Sequence, residues 1–326
     1  MRVFIAGATG VLGRRLVEEC TDRGHEVVGL TRGEAGDTLV RERGGQPHRG
    51  DLFDYDSLVD GVTDADVVVH VATKVPTDTN PDDESWRLND RVRREGATNL
   101  VTAAASTDAD RFVQQSVVWV ARQPDGSFFD ATAAPNPDRS TRSALDAERT
   151  VERGASDHGF EAVVLRGGWF YGADTAHTRL LGEGLLAGRL PLIGGGLLGR
   201  RDATLSFVHV DDAGRAFADA VEGEVTGTYH VVDDEPTTYA RFLQGLADRL
   251  GASRPRRVPG WLARLFVDEN LVRLLTCSMP TTNERFSTAF DWTPEYPTVD
   301  EGLDQIIARW KEEETASDLK YNSETT

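Results

Sequence analysis

Apolar residues in the first 170 positions form short runs that alternate with longer segments of helical periodicity. The runs predict β-strands, at 2–6, 26–31, 66–71, 111–117 and 161–166. The segments between them predict helices, at 10–23, 54–60, 84–107 and 139–157. Some strands, such as the one that contains Val67, Val68 and Val69, are apolar at every position, which is typical of parallel strands covered on both faces. The pattern predicts an α/β fold with a doubly wound parallel sheet.

After Gly172 the alternation is less regular. Further elements are predicted, namely a helix at 178–188, a Gly/Arg loop at 191–202, a strand at 204–210, a helix from Asp211, a strand at 227–232 and a last amphipathic helix at 299–312. We therefore expect three parts, namely a nucleotide-binding unit of 1–172 plus about 203–235, a smaller, mainly helical C-terminal substrate lobe of about 173–202 plus 236–312, and a polar tail of 313–326.

The balance of acidic and basic residues indicates the habitat of the protein and the partners that it disfavours. The net charge is -18, and Lys74, Lys311 and Lys320 are the only lysines among 36 basic residues. An acidic surface of this kind suits a protein in very concentrated salt, where self-repulsion is screened. A halophilic source is therefore expected, and the alternative is an acidic protein from a GC-rich genome, which also favours arginine. Nucleic acid is a poor partner for such a surface.

Membrane and metal-site signals are weak in this sequence. No apolar stretch reaches the roughly 18 residues that a membrane span needs, and the first predicted strand begins at residue 2, which leaves no room for a signal peptide. We expect a cytoplasmic protein without a membrane partner. Cys20 and Cys277 are far apart, so neither a disulfide framework nor a metal site is predicted.

The strongest chemical motif is a glycine-rich turn between the first strand and the first helix. It reads Gly7-x-x-Gly10-x-x-Gly13, with Thr9, Val11 and Leu12 between the glycines. Glycine lets the backbone turn tightly and lets a pyrophosphate approach, and the helix N-terminus offers free N–H groups. A second strand about 20 residues later completes the pattern of a dinucleotide site. The alternative is an ordinary strand–helix turn.

The end of the second strand indicates which dinucleotide is bound. A site for NAD(H) usually places an acidic residue there to accept from the ribose hydroxyls, but this chain has Thr31 and Arg32. An arginine pairs with a 2′-phosphate, and Arg14 could reach the same group. NADP(H) is therefore favoured over NAD(H). The alternative is that Arg32 is a solvated loop charge.

Seven segments, in this order, resemble the NAD(P)-dependent epimerase/dehydratase group of extended and atypical short-chain dehydrogenases. They are 7–13, 50–52, 69–72, 111–116, 165–172, 207–213 and 292–294. The resemblance implies a Rossmann fold with a substrate lobe, and it assigns further cofactor contacts, namely Asp51 and Leu52 at the adenine, Val71 and Ala72 at the ribose and nicotinamide, and Gly167 and Gly168 beside the nicotinamide. Asp51 could instead cap a helix.

Two other polar positions are interpreted as structural. His70 ends a strand, and we expect it to have a structural role rather than a catalytic one. Asp211 or Asp212 is expected to cap the helix that follows them and to face its positive end.

The chain departs from the family at its acid/base pair. Members carry Tyr-x-x-x-Lys on a helix, where the ammonium lowers the tyrosine pKa so that the phenol can move a proton. Aligning Glu148 with that helix places Ser140 at the tyrosine position and Ala144 at the lysine position. No tyrosine occurs between positions 55 and 171, and no lysine between positions 74 and 311. The usual proton relay is absent.

Two residues remain as catalytic candidates. Ser116 matches the catalytic serine of the family, either as part of the mechanism or only as a hydrogen-bond partner of a ligand. Tyr171 could donate a proton by another route, and a packing role is the alternative. Arg93 falls near the place of an asparagine common in the family.

The tryptophans fall into two groups. Trp86, Trp119 and Trp169 would flank the cleft in the family layout and shape an apolar pocket. Trp261, Trp292 and Trp310 are expected to pack the C-terminal part. The segment 261–275 is predicted to be core or subunit interface.

Two functions remain open. The first is an oxidoreductase or epimerase-like enzyme that exchanges hydride between NADP(H) and a carbonyl or hydroxyl group of a small metabolite or nucleotide sugar. The second is a non-catalytic NADPH-binding redox sensor or assembly factor, which needs no proton donor. A small-molecule substrate and a possible homodimer are the expected partners.

Overall fold

The structure, a computed structural model, describes residues 1–76, 81–194 and 202–324, with side chains described as far as residue 314. The strands are β1 (Arg2–Ala6), β2 (Glu26–Thr31), β3 (Gln46–Arg49), β4 (Val67–His70), β5 (Arg111–Val117), β6 (Glu161–Gly167), β7 (Trp169–Tyr171), β8 (Leu192–Ile193), β9 (Thr204–Leu205), β10 (Phe207–His209), β11 (Gly227–Val231), β12 (Thr237–Thr238) and β13 (Arg257–Val258). The helices are α1 (Val11–Asp22), α2 (Glu34–Arg41), α3 (Tyr55–Val62), α4 (Asp83–Ser106), α5 (Arg142–His158), α6 (Ala176–Leu186), α7 (Val210–Glu222), α8 (Tyr239–Leu250), α9 (Gly260–Ala263), α10 (Glu269–Thr276), α11 (Glu284–Phe290) and α12 (Val299–Glu324).

A parallel sheet forms the centre of the fold. Within the described residues it has seven strands in the order β11-β6-β5-β4-β1-β2-β3, and every neighbouring pair is parallel. The chain winds outward from β1 to β3 and then crosses to β4 on the other side of β1. The direction of winding therefore switches between β1 and β4, and ligands of open α/β sheets bind at the carboxyl ends of the strands at such a point. The predicted doubly wound sheet is confirmed.

Helices cover both faces of this sheet because its strands are apolar on both sides. Val3 and Ile5 of β1 point to one face and pack with α1 and α7, whereas Phe4 between them points to the other face. Leu58 and Leu100, from α3 and α4, belong to the same cluster as Phe4. Each such fully buried side chain contributes about 1.5–3 kcal/mol relative to exposure.

A third hydrophobic cluster lies among the C-terminal helices and three short two-stranded sheets, β7 with β10, β9 with β12 and β8 with β13. Phe207 and Phe242 stack at its centre with ring centroids 4.9 Å apart, and Leu303 and Ile306 of α12 pack against the same cluster. The division into a nucleotide-binding unit and a substrate lobe stays a prediction.

The structure contains elements that the sequence pattern did not predict, among them one helix and one strand of the first 50 residues. Neither α2 nor β3 was predicted from the sequence, because α2 is short and polar and β3 is an edge strand that contains Pro47. The predicted strand at 204–210 is two strands, separated at Ser206, whose carbonyl accepts from the N–H of Trp169.

Some predictions for the C-terminal part were wrong. The last helix does not end at 312 but continues to Glu324, into the predicted polar tail of 313–326. Trp261 is 71% exposed instead of packed, and Trp292 packs in the sheet cluster with Phe286. Of the predicted loop at 191–202, residues 192–193 form β8 and 195–201 lie outside the described residues. No helix in the described part of the chain has the length and apolar content that a bilayer span requires.

Candidate functional site

A cleft of about 750 Å³ opens at the carboxyl ends of β1, β2, β4 and β5. Its volume is in the range of small-molecule and cofactor sites. Residues of the glycine turn lie at one end, and residues of α6 and α10 from the C-terminal part close the other. The switch point of the sheet and the cleft therefore coincide.

The three glycines of the turn are required for different reasons. Gly7 has a φ of +100°, and a Cβ there would lie 2.5 Å from the backbone N of Ala72. At Gly13 a Cβ would lie 2.0 Å from the carbonyl oxygen of Gly7, so this glycine lets α1 pack on the turn. A Cβ at Gly10 would meet only that same oxygen, at 3.2 Å, which leaves its other side open for a ligand.

The N-terminus of α1 faces the cleft without a side-chain cap. Gly10 is the N-cap residue, it makes no side-chain capping bond, and the first turn contains no acidic residue. Thr9, Val11 and Leu12 line the cleft beside it. Uncapped N–H groups and the helix dipole favour an anion here, so the geometry fits a pyrophosphate.

Arg32 lies at the end of the cleft that β2 forms, with its charge available. It is exposed, it lines the cleft together with Thr31, and no carboxylate in the described residues is within ion-pair distance of it. The nearby Asp37 is occupied, since its carboxylate accepts from the Thr31 hydroxyl (2.6 Å) and from Arg49 (2.7 Å). The suggestion that Arg14 reaches the same phosphate was wrong, because Arg14 pairs with Asp174 at 3.0 Å.

The predicted adenine contacts also line the cleft. Asp51 and Leu52 do so, and the Asp51 carboxylate accepts from the N–H of Phe53 at 2.9 Å. Helix α3 begins at Tyr55 with Asp54 before it, so the alternative of Asp51 as a helix cap is wrong. At the end of β4, Val71 and Ala72 line the cleft.

The two glycines that follow β6 do not leave room for a nicotinamide as expected. A Cβ at Gly167 would meet the ring of Phe170 at 2.7 Å, and Gly167 is not among the described lining residues. Gly168 lines the cleft, but the space of its missing side chain is filled by the Ser206 carbonyl at 2.6 Å. Both glycines therefore serve close packing of β6 and its neighbours.

The histidines at two strand ends are structural. His70 is 1% exposed and its Nδ1 lies 3.0 Å from Oε1 of Gln114. Burial lowers the pKa of His70 to about 4. His209, and not Asp211 or Asp212, caps α7, because its Nδ1 accepts from the N–H of Asp211 at 3.3 Å. Asp212 instead accepts from the N–H groups of residues 295 and 296.

Ser116 does not face the cleft. Its side chain is buried and its hydroxyl donates to Glu148, which Arg166 holds with two further hydrogen bonds of 2.9 and 2.7 Å. The adjacent Gln115 and Val117 line the cleft instead. Because successive strand residues point to opposite sides, the prediction that Ser116 contacts a substrate oxygen was wrong.

The two residues that the sequence aligns with the proton relay of the family are a serine and an alanine. Ser140 lines the cleft, and its hydroxyl donates to Oδ1 of Asp138 at 2.7 Å. Ala144 is 2% exposed and packs in a small cluster with Val120. A serine hydroxyl without an adjacent ammonium is a very poor acid near neutral pH.

Tyr171 does not supply the missing phenol. It is fully buried, it is not among the described residues that line the cleft, and its hydroxyl donates to Oδ2 of Asp233 at 2.9 Å. Burial and the neighbouring Asp233 carboxylate raise the pKa of Tyr171 well above its usual value. Its role is packing and hydrogen bonding in the third cluster.

The other end of the cleft is aromatic and contains polar atoms without partners. Trp86, Trp119 and Trp169 line it, as expected. Four buried polar atoms of lining residues have no hydrogen-bond partner in the described structure, namely Nε1 of Trp86, Nε1 of Trp119, Oε1 of Gln115 and Nε2 of His177. Buried polar groups are normally satisfied, so these four mark where a ligand would bind.

Sequence reasoning missed several residues of this wall. They are Lys74, Gln115, Arg122, Asp138 and His177. Lys74 is exposed at the cleft, and Arg122 pairs with Asp138 at 3.0 Å. The His177 ring packs on Trp169 with centroids 4.8 Å apart, and burial lowers its pKa to about 4, so the imidazole is neutral. No spacing in the sequence marks His177, because it reaches the cleft from α6.

Among the residues for which the structure gives positions, no group of three or more His, Cys, Asp or Glu side chains could hold a metal ion.

Known proteins resemble this chain over nearly its whole length. The model of the "NAD dependent epimerase/dehydratase family" matches residues 3–232. A Streptomyces protein named 3-diazoavenalumate denitrifying reductase is 36% identical over 310 residues, which are 93% of this chain and 99% of that protein. UDP-glucose 4-epimerase of Thermotoga maritima has a TM-score of 0.78 at 16% identity, with 96% and 99% of the chains covered. The human epimerase family protein SDR39U1 with NADPH has a TM-score of 0.78 at 18% identity, with 94% and 99% covered.

Proposed function

Because the chain belongs to the NAD-dependent epimerase/dehydratase family, we propose that it is a reductase that uses NADP(H) to reduce a small molecule bound in the cleft. The observation that carries the proposal is the composition of the cleft. It has a glycine turn and an unpaired Arg32 at one end and an aromatic wall with unpartnered polar atoms at the other. A cofactor and a second, smaller ligand would fit side by side.

The residues of the turn and of the strand ends would hold the cofactor. Gly10 and the N-terminus of α1 would meet the pyrophosphate, Asp51 and Leu52 the adenine, and Val71 and Ala72 the nicotinamide side. Arg32 supports NADP(H) over NAD(H), since an unpaired guanidinium attracts a 2′-phosphate and its neighbouring carboxylate, Asp37, is engaged by Arg49.

The missing proton relay limits the kinds of acceptor that the protein could reduce. Reduction of a carbonyl needs a hydride at carbon and a proton at oxygen, and the described lining of the cleft contains no tyrosine to supply that proton. When bound, NADPH would supply a hydride, and an acceptor such as an arenediazonium ion would take it at carbon while N₂ leaves with the electron pair of the C–N bond, so that no proton is needed. The name of the Streptomyces relative, a denitrifying reductase, supports this acceptor class.

Cofactor preference is tested with NADPH and NADH titrations in molar KCl, followed by nicotinamide emission. Arg32→Gln is expected to weaken NADPH binding by about 10- to 100-fold, the effect of one charge-assisted contact, and to leave NADH binding within a factor of two. Arg41→Gln, an exposed arginine on α2 outside the cleft, is the matched control. Equal binding of both dinucleotides by the native protein would contradict the preference.

Hydride transfer is tested with NADPH deuterated at the transferred position. With benzenediazonium-4-carboxylate we expect N₂ release and one deuterium on the arene carbon, at a rate above that of a reaction without protein. Faster reduction of 4-carboxybenzaldehyde would show that a proton donor exists and would reject the narrower reaction. Tight NADPH binding without turnover of either acceptor would favour the non-catalytic sensor or assembly factor.

The same proposal includes a cytoplasm of high salt as the habitat and a second copy of the chain as a partner. The acidic, lysine-poor composition supports a cytoplasm of high salt and makes nucleic acid an unfavourable partner. The exposed side chains of Trp261, Leu265 and Phe266 are compatible with a homodimer. Light scattering at several salt concentrations measures the oligomeric state.

A further inference from the structure

The aromatic end of the cleft contains a buried cation that has no ion-pair partner among the described residues. Arg93 lies on α4, is 7% exposed and lines the cleft. One guanidinium nitrogen, Nη1, donates to the backbone carbonyl of Ser140 at 3.2 Å. No carboxylate within the described ranges is close enough to form an ion pair with it. A buried charge is costly unless a counter-charge meets it, so this position favours an anionic ligand.

The acids nearest to Arg93 are already engaged by other arginines. Asp90 pairs with Arg139 at 2.7 Å and with Arg94 at 3.5 Å. Glu148 is held by two hydrogen bonds from Arg166. Burial lowers the pKa of Arg93 to about 10, which still leaves it charged at neutral pH. Asp90 and Glu148 therefore act on Arg93 only through their longer-range charges, and its guanidinium has no ion-pair partner of its own in the described residues.

The surroundings of Arg93 favour a ligand that is flat, apolar and singly charged. Trp119 and Trp169 meet edge to face with ring centroids 6.3 Å apart, and Trp86 lies on the same helix as Arg93, seven residues away and so on the same face. The other cation buried nearby, Arg122, is balanced by Asp138. The indole N–H groups of Trp86 and Trp119 remain free to donate to polar substituents.

We propose that the acceptor reduced in this cleft is an aromatic monocarboxylate, with its carboxylate paired to Arg93 and its ring enclosed by the three tryptophans. That this ligand is reduced rests on the proposed reductase function, whereas its binding beside Arg93 does not. A nucleoside diphosphate is the competing ligand, but it would bring at least two negative charges to a wall that also contains Asp138 and Asp268.

The test compares trans-cinnamate with its neutral isostere, trans-cinnamamide, by quenching of tryptophan emission in protein without cofactor and at one fixed KCl concentration. The native protein is expected to bind the acid about 20-fold more tightly than the amide, as expected for a hydrogen-bonded charge pair. Arg93→Met should remove this difference and leave amide binding within a factor of two. Arg93→Lys, which keeps the charge without the planar fork, should retain part of it.

The matched control is Arg87→Gln, an exposed arginine of the same helix, which pairs with Asp83 at 4.0 Å and does not line the cleft. It should leave both affinities unchanged. Equal affinity of the native protein for acid and amide, or an equal loss of both in Arg93→Met, would overturn the proposal. If Arg93→Met does not fold, the native comparison and Arg93→Lys still decide it.

Two further arms separate this inference from the proposed function. UDP is added as a competitor of cinnamate. If UDP displaces cinnamate and binds more weakly to Arg93→Met than to the native protein, the ligand class is a nucleoside diphosphate and not an aromatic acid. NADPH affinity, measured in the same variants, should not depend on Arg93. If the native protein does not bind NADPH, the proposed reductase function is rejected. The comparison of acid and amide still tests the binding site in that case.

Discussion

At the scale of single residues, the most consequential contact is the buried group formed by Ser116, Glu148 and Arg166. The ion pair of Glu148 and Arg166 is 2% and 5% exposed at its side chains, and Ser116 donates to the same carboxylate. Removal of one partner of a buried pair leaves an uncompensated charge, whereas loss of the hydroxyl removes only one hydrogen bond. This group joins β5, α5 and β6 behind the wall of the cleft.

Ser116→Ala is therefore expected to lower the free energy of unfolding by about 1 kcal/mol and to leave any NADPH-dependent turnover within a factor of two. Glu148→Gln should lower it by about 3–5 kcal/mol because Arg166 loses its counter-charge. Guanidinium unfolding and initial rates measure both. A rate loss of 100-fold in Ser116→Ala, with stability preserved, would return Ser116 to the mechanism.

The sequence was sufficient to locate the glycine turn and Arg32, because each follows a strand whose apolar pattern is unambiguous. Asp51 and Leu52 follow the unpredicted strand β3, and only the family resemblance pointed to them. It was not sufficient for Ser116. A one-residue shift of a motif along a strand moves a side chain to the opposite face, and only the register of β5 shows that Gln115 and Val117 face the cleft.

At the scale of elements, α12 depends on a close approach to the third hydrophobic cluster. A Cβ at Gly302 would lie 2.4 Å from the Tyr171 hydroxyl oxygen. That hydroxyl bonds to Asp233, so it cannot move without breaking a buried hydrogen bond. The long C-terminal helix is therefore fixed at its first turns by one missing side chain.

Gly302→Ala is expected to destabilise the protein by about 1–3 kcal/mol through overpacking, despite the better helix propensity of alanine. Gly184→Ala on α6, where the nearest atom is the Cβ of the Leu190 side chain at 3.3 Å, is the control and should be neutral or stabilising. Thermal unfolding monitored by circular dichroism compares them. Equal midpoints for the two variants would contradict the packing argument.

Helices and strands with a strong hydrophobic periodicity were predictable from the sequence, and those with a weak periodicity were not. The five predicted strands of the sheet and the four helices among them occur in the structure within a few residues. The short helix α2 and edge strand β3 carry few apolar residues, so their positions depend on contacts with β2. Helix α4 was predicted, but the charge of Arg93 on it had no interpretation before Asp90 and Glu148 were seen to pair with other arginines.

At the scale of the whole molecule, buried neutral histidines make stability depend on pH. Burial lowers the pKa of His70 and His177 to about 4 and that of His230 to about 3. Since the unfolded chain takes up these protons near pH 6.5 and the folded chain does not, the stabilising contribution is present above pH 6.5. It is lost as the pH falls toward 4.

The free energy of unfolding is therefore expected to fall by up to about 1.4 kcal/mol per pH unit for each histidine below pH 6. His230→Asn should reduce the slope of the unfolding free energy against pH by the contribution of one proton. His158→Asn, at an exposed position, should not change this slope. Urea unfolding from pH 7 to pH 5 gives the slopes. Parallel slopes for the native protein and His230→Asn would contradict the assignment.

The net charge of -18 leads to a second expectation for the whole chain. Repulsion among exposed carboxylates falls as the Debye length shortens from about 10 Å at 0.1 M salt to about 3 Å at 1 M. The thermal midpoint should therefore rise between 0.1 and 2 M KCl. Potassium glutamate serves as the control for chloride binding, and a midpoint that falls in both salts would reject an adaptation to high salt.

The position of Lys74 has a practical consequence. The chain has only three lysines, and the other two, Lys311 and Lys320, lie on α12. An amine-directed reagent would therefore find, apart from the N-terminus and this helix, a single target at the cleft. A reporter dye attached there would sense ligand entry directly, and protection of Lys74 by a bound molecule could be measured by mass spectrometry without any assay of turnover.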